Sequence, residues 1–334
     1  MAVGDSVDLS SGPVTKAERI DSIDVLRGFA VLGILLMNVQ SFAMIGAAYM
    51  NPTAAGDLSG ASYFVWLVSH LFFEHKMMPI FAMLFGAGIV LMSSRREEKG
   101  LRVVGLHYRR MFVLLVFGLL HAYLIWHGDI LYTYALCGSI VFLFRRWSPK
   151  VLIPMGVVVY CVAAGSSLLF HQTMTYWPPE QLDEMAECWD PGEEQAADEI
   201  AAYLGNWFRQ LDHRVPTSFF MQTFLFLTHF AWDSSGLMLI GMALFKLGVF
   251  SAKRSAGFYV SLIAAGLLIG LPVIIFGVAR NFAADWDIRA CFFIGAIPNY
   301  FGSIFVSLAW VGLIMLICKY DKLPRLTGAL AAVG

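Results

Sequence analysis

Eight apolar runs constrain this chain more than any other feature: roughly residues 23–45, 62–93, 105–127, 129–147, 150–171, 233–250, 256–279 and 291–318. A helix rises about 1.5 Å per residue, so about 20 apolar residues cross the hydrocarbon core of a bilayer. Backbone amides in lipid must bond within their own segment, which leaves packed helices as the fold for such runs. Composition agrees. The 334 residues are 58% hydrophobic and only 14% charged, with a mean hydropathy of +0.68. Soluble domains carry about 25% charged residues. The expected fold class is all-α, a polytopic transmembrane helix bundle in a lipid bilayer. A net charge of −1 says nothing about a nucleic-acid partner, and no basic domain exists to bind one, so none is expected.

Lysine and arginine placement orients the bundle. Alternate ends of the runs carry 18 basic residues against 4, with Lys76 inside a run accounting for the last of the 23. The basic set includes Lys16, Arg19, Arg27, the cluster from Arg95 to Arg110, Arg145, Arg146 and Lys150. The N-terminus is therefore expected in the cytoplasm. Residues 1–18 read as a polar cytoplasmic tail and the first run as an uncleaved signal-anchor. Residues 19–171 form a first block of five helices, and 172–232 an extracytoplasmic loop. Residues 233–320 form a second block of three helices, and 321–334 a cytoplasmic end. The loop holds ten acids between Glu180 and Asp212, helix-forming composition from Glu193 to Leu204, and Trp177 and Trp189 as interfacial anchors. It reads either as a solvated cap or as a lid. Residues 216–231 are a ninth apolar run, expected to be an interfacial helix. Of five scattered cysteines, Cys188 and Cys291 both fall outside and could pair; no spacing suggests a metal site.

Polar residues inside the runs are the candidate site. Asp24 and Arg27 are three apart and can pair on one helix face. Asn38 lies eleven residues beyond Arg27, about three turns and about 16 Å on, and returns to the same face. The second run holds His70, Glu74, His75, Lys76 and Pro79. Proline there can kink or break the helix. Glu74 and Lys76, two positions apart, face different ways on a regular helix. Ionisable groups at such depth are costly and normally face a cavity. His121 lies near the outer end of the third run and Asp129 opens the fourth. Histidine suits general-base work near neutral pH, a carboxylate can orient it, and an amide can stabilise an oxyanion. Asn38, Lys76, His121 and Asp129 are expected to line one outer cavity. Gly86-Ala-Gly88 reads as close helix packing.

Ordered motifs carry a family resemblance. They are Arg19-x4-Asp24-x2-Arg27-Gly28, Gly33-Ile34, Asn38-Val-Gln40-Ser-Phe, Lys76-x2-Pro-Ile-Phe-Ala-Met-Leu-Phe-Gly-Ala-Gly88, Gly118-Leu-Leu-His121-Ala, Gly128-Asp-Ile-Leu131 and Gly236-Leu-Met-Leu-Ile-Gly-Met-Ala243. Spanning residues 19–334, the set resembles the YeiB-like family of bacterial polytopic membrane proteins. That family is similar to the transmembrane acyltransferase superfamily, which includes heparan-alpha-glucosaminide N-acetyltransferase. The resemblance implies a bacterial inner-membrane location and an acyl-CoA donor, with no metal. An extracytoplasmic or lipid-linked hydroxyl or amine, on a small molecule or glycan, would be the acceptor. His121, Asn38 and Asp129 would be catalytic, Arg27, Lys76 and Gln40 substrate- or cofactor-binding, and Arg19 and Asp24 structural members of the motif. A homodimer is compatible with it. One departure stands out: the acetyltransferase relatives carry a histidine shortly after the motif asparagine, and here none lies between Asn38 and His70. Similar proteins also continue with a Gly-Arg-containing segment and further helices, so the chain is expected to be C-terminally incomplete. A transporter with a midplane polar site, or a non-catalytic membrane component, remains the alternative reading.

Overall fold

The computed structural model describes residues 20–56 and 58–334, so Arg19 of the opening motif lies outside the described residues. The described chain is helical: α1 (Asp21–Ala43), α2 (Gly60–Phe72), α3 (Met77–Glu98), α4 (Val104–Leu124), α5 (Leu131–Val141), α6 (Pro149–Thr173), α7 (Pro179–Trp189), α8 (Glu193–Tyr203), α9 (Trp207–Phe220), α10 (Ala231–Lys246), α11 (Ala256–Ala265), α12 (Leu271–Ala283), α13 (Ile288–Cys291), α14 (Ile297–Tyr320) and α15 (Pro324–Val333). Among the described residues, six helical rods are long and apolar enough to cross a membrane: 21–43, 60–98, 104–124, 149–176, 256–283 and 297–320. The short apolar helix 131–144 and the rod ending in α10 complete the eight expected elements.

Helices α3 and α10 form the centre. Ile80, Met83, Ala87, Leu237, Met238 and Met242 are buried on them, and α10 packs on both α3 and α6. A helix apolar all round belongs inside a bundle. In lipid the association rests on close packing rather than on water exclusion, which favours small residues at contacts. A Cβ on Gly86 would run into the Met238 carbonyl, and one on Gly241 into that of Met83. The expected close packing at Gly86 is thus present. Gly88, one residue beyond Ala87, faces open space instead. Helices α1 and α4 lie at the periphery, presenting Leu32, Leu35, Leu36, Phe112 and Phe117 outward.

Several local expectations change. The run 216–231 is not a separate interfacial helix. It is the middle of one continuous rod from Trp207 to Lys246, passing through a π-helical segment at Met221–Phe230. The polar stretch after it does not break the rod, because Asp233 and Ser234 turn inward. Trp189 is no interfacial anchor. It is buried against Trp286 and donates its indole N–H to the Trp286 carbonyl at 2.8 Å. Cys188 is exposed on α7 while Cys291 is buried in that tryptophan cluster, so the two stay free thiols. Helix α8 forms where its composition favours it.

Candidate functional site

The second rod is broken rather than kinked. Residues 73–76 leave the helix, with His75 in the left-handed region at φ 57°. Such a conformation costs a non-glycine residue about 1–3 kcal/mol and persists only where its surroundings hold it. Pro79 sits in the first turn of α3, where its missing N–H costs little. The break overturns the expectation that Glu74 and Lys76 face different ways. Off the helix, both side chains reach Asn299 on α14. The Lys76 ammonium donates to Asn299 Oδ1 at 2.7 Å, and the Asn299 amide approaches Glu74 Oε1 at 3.5 Å. Lys76 also donates to the His70 carbonyl, and Glu74 Oε2 lies 2.7 Å from His70 Nδ1. Ser303 donates to Asn299 and Ser307 to the Lys76 carbonyl, each bond closing onto α14. Lys76 is fully buried, so its ammonium serves this network.

Asp233 lies among Tyr134, Tyr160 and Tyr300, the last of which follows Asn299 on α14. Tyr160 and Tyr300 stack with ring centroids 4.2 Å apart, and each hydroxyl donates to the other residue's carbonyl at 2.9 Å. His229 packs on Tyr300 at 5.5 Å and lies within electrostatic reach of His75. Asn299, Asp233 and His229 were not among the expected site residues. The only sequence signal was a polar residue inside an apolar run, just after Pro298 for Asn299.

A second polar group sits where α4 meets α5. Helix α4 stops at Leu124 because the His121 carbonyl accepts both the Ile125 and Trp126 amides, so His121 occupies the last turn. Its Nδ1 lies 2.8 Å from Asp129 Oδ2. The other oxygen of Asp129 accepts the Tyr132 amide at 2.9 Å, at the start of α5. The carboxylate is thereby held from two sides with its side chain 1% exposed, while the imidazole remains 34% exposed. With Nδ1–H donating to Asp129, Nε2 is the free base. Burial pushes the Asp129 carboxyl up; the Tyr132 amide and His121 oppose that push. Trp126 packs edge-on 6.4 Å from the His121 ring and 4.9 Å from Phe42 of α1. Trp126 Nε1, His127 Nδ1 and Gln222 Nε2 are buried near this turn without a described protein partner.

The remaining expected residues are placed as follows. Asn38 is half-buried on α1, one turn before Phe42, and its amide makes no hydrogen bond among the described residues. Gln40 donates to the Ala48 carbonyl at 2.8 Å and ties the end of α1 to the following turn. Arg27 pairs with Asp24 at 3.0 Å as expected, and also donates to the Gly334 carbonyl at 2.9 Å. The two side chains remain 35% and 18% exposed, so the pair is partly open to its surroundings. Among the described residues no group of three or more His, Cys, Asp or Glu could hold a metal ion.

Comparison with known proteins places this architecture. The family model described as "Protein of unknown function (DUF418)" matches residues 244–334. The uncharacterized protein YeiB of Escherichia coli strain K12 is 31% identical over 332 residues, covering 95% of this chain and 79% of its own length. The uncharacterized protein YxaH of Bacillus subtilis strain 168 is 40% identical over 157 residues, covering 44% of this chain and 38% of its own. An uncharacterized 39.9 kDa protein of Bacillus acidopullulyticus is 30% identical over 183 residues, 49% of this chain and 50% of its own. No solved structure matches. The match to the Escherichia coli relative covers 95% of this chain and 79% of that protein, and on that ground the chain belongs to the YeiB-like family of polytopic membrane proteins.

Proposed function

We propose that this protein is a membrane acyltransferase that moves an acyl group, such as acetyl, from cytoplasmic acyl-CoA to a hydroxyl or amine presented outside or on a lipid. The observation that carries the reading is the His121–Asp129 pair, a partly open imidazole with a buried, doubly anchored carboxylate behind it. That is the geometry of an oriented general base. His121 Nε2 would take the proton of the acceptor as its oxygen or nitrogen attacks the thioester carbonyl. The C–S bond breaks, and the coenzyme A thiolate leaves with the proton returned by the imidazolium. Asn38, with its amide uncommitted, would stabilise the oxyanion. The basic ends of the helices, including Arg27, would face the cytoplasm of a bacterial inner membrane and meet the donor. Impermeant labelling of cysteines placed in loop 99–103 from outside intact cells would overturn that orientation.

The test is acetyl transfer by purified protein in nanodiscs, read as release of free coenzyme A with a membrane extract as acceptor. His121→Ala should lose turnover by about 10²–10⁴-fold while retaining coenzyme A binding. Full turnover in that variant removes the reading. The broken second rod favours a second reading, a transport path. Interrupted helices flanked by ionisable groups commonly mark substrate or ion sites in transporters, and Glu74, Lys76 and Asn299 gather at such a break. Uptake or efflux by proteoliposomes without coenzyme A would favour it.

A further inference from the structure

We infer that a cleft between α1, α3 and α4 binds a phosphate-bearing lipid from the leaflet on the basic side of the bundle. The inference does not rest on the acyltransferase reading: His121 does not enter it, and Arg27, which that reading turns toward the donor, here acts with Arg110 on a lipid. The cleft encloses about 290 Å³. Arg27 and Arg110 line it at one end, and Phe81, Phe85 and Met111 line it further in. Arg27 is the seventh residue of α1 and Arg110 the seventh of α4. Both therefore stand about 9 Å in from the basic ends of their helices. Phe81 is seventeen residues from the end of α3, about 25 Å in. The cleft thus runs from cationic at headgroup depth to apolar toward the midplane, the same order as a phospholipid.

Three further observations fix the occupant. Arg110 is exposed and its described contact is a weak one, to Met92 Sδ at 2.9 Å, so its guanidinium has no carboxylate partner among the described residues. Asp24 and the Gly334 carbonyl both engage the same nitrogen of Arg27, so among the described side chains two guanidinium groups stand at the mouth against one carboxylate. Guanidinium groups bind phosphate oxygens through paired, charge-assisted hydrogen bonds. Next, α1 and α4 flank the cleft without packing on each other there, and both present leucine and phenylalanine outward. The mouth therefore opens sideways, toward lipid. Lastly, the volume sits at the small end for ligand sites. It admits a phosphate with part of one alkyl chain, but not the nucleotide of coenzyme A.

Delipidated protein in detergent would be titrated with dioleoylphosphatidylglycerol, dioleoylphosphatidylcholine, inorganic phosphate and coenzyme A. The readouts are the thermal midpoint and, by native mass spectrometry, the lipid retained. One phosphatidylglycerol should be held about fivefold more tightly than phosphatidylcholine, the effect of about one basic residue at a membrane surface. Arg110→Gln should erase that preference. Gly88→Leu should block binding while folding normally, because a Cβ on Gly88 meets open space and the larger side chain fills the cleft. Equal affinity for the two lipids, or unchanged binding in both variants, would overturn the proposal. So would displacement of phosphatidylglycerol by coenzyme A or inorganic phosphate, which would assign the arginines to a soluble anion. Loss of acetyl transfer with lipid binding intact would bear on the enzymatic reading alone.

Discussion

His121 and Asp129 meet across the turn from α4 to α5, with Nδ1 and Oδ2 2.8 Å apart, while the second Asp129 oxygen holds the Tyr132 amide that begins α5. One carboxylate therefore both orients a base and starts a helix. The two duties separate by substitution. Asp129→Asn keeps an oxygen for the Tyr132 amide but presents an NH₂ to His121, which favours the wrong imidazole tautomer. The expected result is folding within about 1 kcal/mol of the parent and turnover reduced about 10²–10⁴-fold. Asp129→Ala should lose both. If Asp129→Asn transfers acyl groups at the parent rate, the carboxylate is only a helix-starting group.

Gly86 and Gly88 offer an internal control on helix packing. A Cβ on Gly86 would overlap the Met238 carbonyl, so α3 and α10, the two central helices, must separate to admit it. Gly88 meets nothing within 4 Å. Overpacking of a tight core costs about 1–3 kcal/mol, whereas alanine in an open helical position gains up to about 1 kcal/mol over glycine. Gly86→Ala should lower the thermal midpoint and Gly88→Ala should hold or raise it. The same direction of change in both variants would contradict this contact geometry.

His127 should make the fold acid-sensitive. Burial above all, then the nearby His213 and Arg214, pushes its pKa down to about 4, against about 6.5 for a free histidine. The unfolded chain therefore binds a proton that the folded chain refuses. The stability of the neutral form is fully present above about pH 6.5 and is lost as pH falls toward 4. Between pH 7 and 5 the loss should reach up to about 2 kcal/mol, reduced by whatever solvent screening the half-buried ring retains. His127→Gln should flatten that part of the stability curve. An equally steep curve in the variant would place the acid sensitivity elsewhere.

Much of this architecture is legible in the chain because a bilayer imposes one simple rule, apolar length, and six of the eight expected runs lie in helical rods that satisfy it among the described residues. The Asp24–Arg27 pair was legible for a related reason, and Asp129 could be named as a possible partner of His121, though the contact itself could not be read from the sequence. In both pairs the partners are close in sequence, so helix geometry or a short turn brings them together. Asn299 is different. It meets Lys76 from 223 residues away, and no periodicity links two residues on separate helices. The break at residues 73–76 was also hidden. Only Pro79 hinted at it, and the residue that adopts the left-handed conformation is His75, which carries no glycine-like signature. The long rod from Trp207 to Lys246 was missed because its polar stretch at Asp233 looks like a terminus when its inward-facing partners are unknown.

Lys76 and Asn299 make the last expectation. The ammonium is fully buried and donates to Asn299 Oδ1 at 2.7 Å and to the His70 carbonyl. Glu74 stands beside it, bonded to His70. Removing one member of a buried charged group leaves the other uncompensated, at about 3–5 kcal/mol. Lys76→Met should therefore destabilise strongly, because it strands Glu74 and frees the amide of Asn299. Asn299→Ala removes one acceptor from Lys76 and one contact from Glu74, and should cost about 1–3 kcal/mol. The two residues share one network, so the double variant should cost less than the sum, with a coupling of about 0.5–3 kcal/mol. Thermal or denaturant unfolding of the four proteins in the same detergent measures it. Additive losses would mean that Lys76 and Asn299 stabilise the broken rod independently, and the network across α14 would then have no energetic reality.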